Sequence, residues 1–179
     1  MQKIIYVPKP KTVEEFGSTS KKEFLKWIPE ICGVCCFKMV GDSKGKTNKR
    51  TLWELTQESV QVGAFRQLPD GKIEGIFYKP LVKLAAKYKM HGKIYRWLPL
   101  VLVRLLLRQD HTPILSIDLS RLDKKYEAGH LIVIVGYDKK NKEFIVHDPS
   151  SVLDVPGEFI HISQKKLRHS SNRRGMVLT

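Results

Sequence analysis

The chain has 179 residues, a length that one compact domain with a single hydrophobic core accounts for. Hydrophobic residues make up 42% and charged residues 28% of it, which excludes a disordered or fibrous protein. Lys and Arg number 32 against 18 Asp and Glu, and the resulting net charge of +14 favours anionic partners.

The most apolar stretch, Trp97–Leu107, is about half as long as a bilayer-spanning helix and contains Arg104. It therefore predicts no membrane span but an amphipathic helix, either buried or lying at an interface. The N-terminal residues lack the apolar core of a signal peptide, so we expect a cytoplasmic protein. Residues 1–20 show little periodicity and are predicted to form an arm, with residues 21–179 as one domain.

The basic residues are densest in two groups, Lys44–Arg50 and Lys165–Arg174. A single-strand nucleic-acid platform would interleave aromatic side chains with the cations, and only His169 lies among them. The pattern favours a solvated basic surface, without a specific nucleic-acid partner but open to an anionic one.

Helices are predicted in the first half of the chain. Lys21–Trp27 suits a short helix, and the apolar run that follows Cys32 suits a buried one. Thr51 and Glu54 form a capping box that opens a further helix, after a polar loop over residues 41–50. Apolar residues recur on one face of residues 78–89, which indicates another helix.

The second half changes to the period of strands. Pro113–Leu119 is predicted to be a strand, and the β-branched run from Leu131 to Asp138 is typical of a central one. Turn residues follow, and residues 143–149 return as the partner strand of a hairpin. Helices first and strands afterwards predict an α+β fold with an antiparallel sheet.

Cys32, Cys35 and Cys36 lie too close together for a disulfide scaffold, whose cysteines would be spread along the chain. Pro29 and Gly33 interrupt regular structure around Cys32, which places this thiol at a helix N-terminus. Unpaired N–H groups there stabilise a thiolate and make the cysteine a nucleophile. Cys35 and Cys36 fall within the helix and are predicted to pack in the core.

His130 and Asp148 are predicted to meet at the open end of the hairpin. With the turn near Lys139 or Lys140, cross-strand partners have residue numbers that sum to about 278–280, so His130 faces residues 148–150. An aspartate beside a histidine fixes the imidazole tautomer, and the histidine can then take a proton from a thiol.

Three segments together resemble the bacteriocin-processing peptidases that cut double-glycine leader peptides, and their papain-like relatives. The segments are CGVCCFKMV from Cys32, GHLIVIVGYD from Gly129 and FIVHDP from Phe144. The resemblance implies a papain-like fold whose catalytic helix packs on the sheet, and a peptide or protein substrate. It also implies that Cys32 is the nucleophile, His130 the general base and Asp148 its orienting carboxylate, with no cofactor or metal.

The chain departs from that family at the oxyanion site. The family has a Gln about six residues before the nucleophile, where this chain has Lys26 followed by Trp27. Lys26 or the Trp27 indole could supply the missing donor, together with the Cys32 backbone N–H. Two alternatives stay open: a catalytically inactive relative that binds peptides, and a thiol oxidoreductase that uses the C-x-x-C pair Cys32 and Cys35.

Overall fold

The computed structural model describes residues 2–126 and 129–179 as a mixture of helices and strands. The helices are α1 (Val13–Phe16), α2 (Lys21–Trp27), α3 (Cys32–Ser43), α4 (Leu52–Gln61), α5 (Tyr78–Lys87), α6 (Leu100–Arg108) and α7 (Gln164–Ser170). The strands are β1 (Phe65–Gln67), β2 (Ile73–Gly75), β3 (Gly92–Tyr95), β4 (Thr112–Asp118), β5 (Gly129–Asp138), β6 (Glu143–His147), β7 (Ile160–Ser163) and β8 (Ser171–Leu178).

Several helices begin at a Ser or Thr whose side chain accepts a hydrogen bond from a backbone N–H in the first turn. The predicted capping box is confirmed: Thr51 accepts from the Glu54 N–H at 3.1 Å, and Glu54 accepts from the Thr51 N–H at 2.8 Å. The Thr12 side chain caps α1 by accepting from the Glu15 N–H at 3.2 Å, so the predicted arm contains a helical turn, and its Phe16 is fully buried. The division of the chain at residue 20 stays a prediction.

The main sheet has six antiparallel strands in the order β3-β8-β4-β5-β6-β7, and β1 and β2 form a separate hairpin. In the β5–β6 hairpin Val133 pairs with His147, and their residue numbers add up to a value within the predicted range. A bulge between Ile134 and Gly136 changes the register by one residue toward the turn. His130, at the open end of this hairpin, therefore lies opposite the residues that follow His147.

Both faces of the sheet are covered by helices, since successive residues of each strand point to opposite sides. One face packs against α3 and α5, with α4 behind them, through Ile114, Leu131, Val133, Val135, Met176 and Leu178. The other packs against α6 and α7 through Leu115, Ile117, Ile132, Ile134, Phe144, Val146 and Val177. The predicted α+β architecture, with the Cys32 helix on an antiparallel sheet, is confirmed.

Two expectations need correction or refinement. The predicted polar loop over residues 41–50 is wrong at its start, because α3 continues to Ser43 and Thr47 is buried with its hydroxyl 2.6 Å from Asp42 Oδ1. The apolar stretch at Trp97–Leu107 forms the turn before α6 and most of that helix, which buries one side on the sheet. Within residues 2–126 and 129–179, no helix combines the length and apolar character needed to cross a membrane.

Candidate active site

Cys32 is the first residue of α3, as predicted, and its side chain is partly exposed whereas Cys35 and Cys36 are fully buried. Gly33 leaves room for Ile76, which a side chain at this position would overlap. The Cys36 thiol donates to the Leu131 carbonyl at 3.3 Å. The buried thiol thus joins α3 to β5 beside His130, and Cys32 alone of the three faces a cavity.

His130 lies near the start of β5 and is almost completely buried. Its Nε2 is 2.6 Å from Asp148 Oδ1, and its imidazole is within hydrogen-bonding reach of the Cys32 thiol. Since Nε2 faces the carboxylate, Nδ1 is the nitrogen left for sulfur. The structure brings the three residues together, and their catalytic roles stay predictions.

Asp148 follows β6 directly and is fully buried by the loop that continues to Gly157. Its carboxylate accepts three backbone N–H groups of this loop, from Ser150 at 2.9 Å, Val152 at 2.7 Å and Leu153 at 2.8 Å. The 148–157 loop therefore holds the carboxylate rigidly against His130, without relying on another side chain.

Lys9 of the N-terminal segment bridges the two parts of this site. Its backbone N–H donates to the Pro149 carbonyl at 2.7 Å, and its ammonium donates to the Pro29 carbonyl at 2.7 Å. One residue thereby links the loop that carries Asp148 to the turn that precedes Cys32. The ammonium also favours the Cys32 thiolate electrostatically.

The charges of the three groups support one another. Burial raises the pKa of Cys32, but the hydrogen bond and charge of His130 outweigh it, so the pKa lies below its usual value. Burial lowers the pKa of His130, but hydrogen bonds to Asp148 and Cys32 raise it to about 9. The pKa of Asp148 is lowered because His130 and the backbone donors outweigh burial. The shifts of Cys32 and His130 are both in the direction that favours a thiolate beside an imidazolium.

Cys32 and His130 open onto a cavity of about 560 Å³. Carboxylates and guanidinium groups both reach its wall, and the remaining lining is mainly apolar. Its other lining residues are Glu30, Glu74, Gly75, Ile76, Phe77, Tyr78, Ile94, Tyr95, Arg96, Ser116, Gly129, Leu131 and Arg174. A cleft of this size has room for a few residues of an extended peptide beside the thiol.

Lys26 and Trp27 lie away from the described lining of this cavity, at the end of α2. The Trp27 indole N–H donates to Glu23 Oε2 at 3.0 Å, and the Lys26 ammonium is 5.3 Å from the centre of the indole ring. The oxyanion role of the Trp27 indole would require its hydrogen bond to Glu23 to break, and for both residues that role stays a prediction.

Residues 14–160 match the model of the Peptidase_C39 like family, which is most of the chain. The chain belongs to the Peptidase_C39 like family. The resemblance to bacteriocin-processing peptidases that the three segments indicated is thereby confirmed, and a cysteine-peptidase type of function goes with it. None of the curated proteins compared with this sequence matches it.

Solved structures of C39 peptidase domains share the fold. A double glycine motif protease from an AMS/PCAT transporter, in complex with its leader peptide, is 17% identical, with 98% of this chain and 91% of that one covered and a TM-score of 0.55. The peptidase domain of Streptococcus ComA is 13% identical, with 98% of each chain covered and a TM-score of 0.57. The peptidase C39 like domain of a Vibrio parahaemolyticus toxin secretion protein is 17% identical, with 80% and 91% covered and a TM-score of 0.50.

Sequence reasoning missed the groups that surround this C39-like site. The chain turns after Asp148, and the backbone donors of that turn to the carboxylate were not foreseen. Lys9 lies in a segment predicted to be an arm. Ile76 reaches the cavity from the end of β2 and Arg174 from β8, and no local pattern marks them.

Proposed function

We propose that the protein is a papain-type cysteine peptidase that cleaves a peptide bond through an acyl-enzyme on Cys32. The position of His130, within reach of the Cys32 thiol and 2.6 Å from the buried Asp148, is the observation that carries this proposal. Membership of a C39 peptidase-like family supports the same class of chemistry.

In the first step the Cys32 thiolate attacks the carbonyl carbon, and a C–S bond forms while the carbonyl oxygen becomes an oxyanion. The Cys32 backbone N–H at the start of α3 is proposed as one donor to it, and Lys26 as a second. His130 gives its proton to the leaving nitrogen as the C–N bond breaks. It then takes a proton from water, which attacks the thioester and releases Cys32.

For the substrate we propose a peptide held extended along the cavity beside Cys32. The related transporter protease was crystallised with a leader peptide and is described as acting at a double glycine motif. A peptide with two consecutive glycines is therefore the first probe. We further propose that the protein works in the cytoplasm and that its basic surface attracts an anionic partner.

The absence of the family's Gln supports one competing function. Lys26 stands at that position, and loss of an oxyanion donor typically costs ~10²–10³ in rate. A catalytically silent relative would use the same cleft to hold a peptide without cutting it. The dithiol alternative has less support, since Cys35 is fully buried and burial raises its pKa, which makes it a poor partner for thiol exchange.

Alkylation with iodoacetamide between about pH 6 and 7 tests the proposal, because only a thiolate reacts quickly there. We expect wild-type Cys32 to react at least about tenfold faster than a free cysteine and His130→Ala to remove this advantage. His91→Ala is the matched control, since His91 is exposed and distant in sequence from the site. Labelling no faster than that of free cysteine, or unaffected by His130→Ala, would overturn the catalytic assignment.

Cleavage of the double-glycine peptide then separates the peptidase from the silent relative. A peptidase cuts the peptide in the wild type and only binds it in Cys32→Ala. Fast labelling combined with binding and no cleavage would establish the silent relative instead.

A further inference from the structure

The outer side of α6 exposes apolar side chains that nothing in the proposed peptidase uses. This helix buries one side against the sheet, through Leu100, Val103 and Leu106. On the other side Val101 is 62% exposed and Leu105 is 46% exposed, and their spacing of four residues aligns them along one ridge. Trp97, in the turn that leads into the helix, is 65% exposed. Several large apolar groups in one short segment indicate a surface that meets a partner.

Cations border this ridge. Val101 and Arg104 line a cleft with Arg168 of α7 and Arg173 of β8. Arg168 and Arg173 also line a second cleft, with Arg121 and Lys165. No acidic side chain is among the described residues that line either cleft. The concentration of unneutralised charge beside exposed apolar groups is a local feature, distinct from the high net charge of the whole chain.

Most of these cations are not neutralised by an acidic partner within the described residues. The Arg104 guanidinium stacks on the Tyr137 ring at 4.4 Å, which fixes its position but keeps its charge. Arg121 is paired with Asp118 at 3.2 Å, and within the described parts of the chain Arg104, Arg168 and Arg173 form no ion pair. They are therefore available to contact phosphate.

We propose that this face, the lipid-binding face made of Trp97, α6, Arg168 and Arg173, docks the protein on an anionic lipid bilayer. Trp, Val and Leu side chains enter the boundary between headgroups and acyl chains, while arginines contact lipid phosphates. A nucleic acid would engage the cations but leave the apolar ridge in water, so the mixture of both groups favours a membrane surface.

The lipid-binding face and the catalytic cavity lie on opposite sides of the sheet. Arg173 lines the basic clefts, whereas the next residue of β8, Arg174, lines the cavity beside Cys32. Helix α3, which carries Cys32, packs on the face of the sheet opposite α6. A protein docked through α6 therefore keeps its cleft open to a peptide in solution, and docking does not depend on the proposed catalysis.

Vesicle binding tests the proposal on the intact chain. We expect sedimentation with vesicles of phosphatidylcholine mixed with phosphatidylglycerol, little with phosphatidylcholine alone, and release by salt. The Arg168→Gln/Arg173→Gln double variant should bind about thirtyfold more weakly, since each juxtamembrane cation contributes about 1 kcal/mol. Lys46→Gln/Lys49→Gln is the matched control, because it removes the same charge from the exposed loop after α3 and should change binding little.

Apolar contact is tested separately. Leu105→Gln should weaken vesicle binding, and Leu25→Gln, at an exposed leucine of α2, should not. Trp fluorescence should shift to the blue on binding, and the shift should vanish in Trp97→Phe, since Trp27 is buried and Trp53 packs against the core on the opposite face of the sheet.

Three results would overturn the proposal: equal binding to neutral vesicles, equal loss in the Lys46/Lys49 control, or no vesicle binding at all. Capture of a single-stranded oligonucleotide that depends on Arg168 and Arg173, without vesicle binding, would assign the face to nucleic acid instead.

Discussion

Asp148 holds His130 in the orientation that serves Cys32. Its carboxylate is buried, and its oxygens accept hydrogen bonds from the imidazole and from three backbone N–H groups at 2.6–2.9 Å. The negative charge keeps the pKa of His130 high, and the imidazolium in turn keeps the pKa of Cys32 low. The reactivity of the thiol therefore depends on a residue that does not touch it.

Replacing Asp148 with Asn should shift this balance. The neutral amide no longer raises the pKa of His130, so the Cys32 thiolate loses its counter-charge and its pKa rises. We expect the alkylation rate at about pH 6 to fall by about tenfold and the pH profile to move upward by about one unit. The rate of alkylation measured across pH checks this, with Asp154→Asn, an exposed acid of the same loop, as control. An unchanged profile in the folded variant would contradict the charge coupling.

The 148–157 loop acts as a unit because its two ends are joined. The Asp148 N–H donates to the Gly157 carbonyl at 2.7 Å, and the Tyr6 hydroxyl lies 2.9 Å from the Asp148 carbonyl. Gly157 has a φ of +92°, and a side chain there would overlap Tyr6, Asp148 and Ser151. A glycine is thus required at this point for both its backbone conformation and its space.

Gly157→Ala should therefore destabilise the protein and slow Cys32 together. Gly63 has a φ of +81° but open space around it, so Gly63→Ala carries the backbone strain without the overlap. We expect Gly157→Ala to lose about 2 kcal/mol more stability than Gly63→Ala, which corresponds to about 4–8 °C in Tm. Thermal unfolding and alkylation of Cys32 provide the two measurements. If the two substitutions changed the Tm and the alkylation rate of Cys32 equally, the loop would not support the site.

Local sequence patterns predicted the individual helices and strands better than the way these elements pack together. The hairpin that joins His130 to Asp148 follows from turn residues and strand periodicity, since its partners are close along the chain. The approach of Cys32 to His130 depends on how α3 packs on β5, and only the resemblance to a peptidase family indicated it. The cavity wall could not be predicted, because β8 pairs with β3 and β4 over long sequence separations that local patterns do not encode.

For the whole molecule, the pKa shifts of His130 and Cys32 act on the stability curve in opposite directions. The raised pKa of His130 stabilises the folded state below about pH 6.5, and this contribution is lost as the pH rises through about 9. The lowered pKa of Cys32 stabilises the folded state at alkaline pH, and that contribution is lost as the pH falls through the folded-state pKa. His130 therefore adds no slope below about pH 6.5, where other groups must act.

His147 is the group we expect to dominate the acid side of that curve. It is fully buried between Tyr6 and Phe159, with ring centroids 5.4 Å and 4.6 Å away, and neither ring nitrogen has a described hydrogen-bond partner. Burial lowers its pKa to about 4, so the unfolded state takes up a proton first as the pH falls. The stability present above about pH 6.5 should decline by about 3 kcal/mol on the way to pH 4. Urea unfolding across this range should show the slope in the wild type and in His91→Phe, and a much smaller slope in His147→Phe, where an apolar ring fills the same space. A full slope in His147→Phe would assign the acid sensitivity to another group.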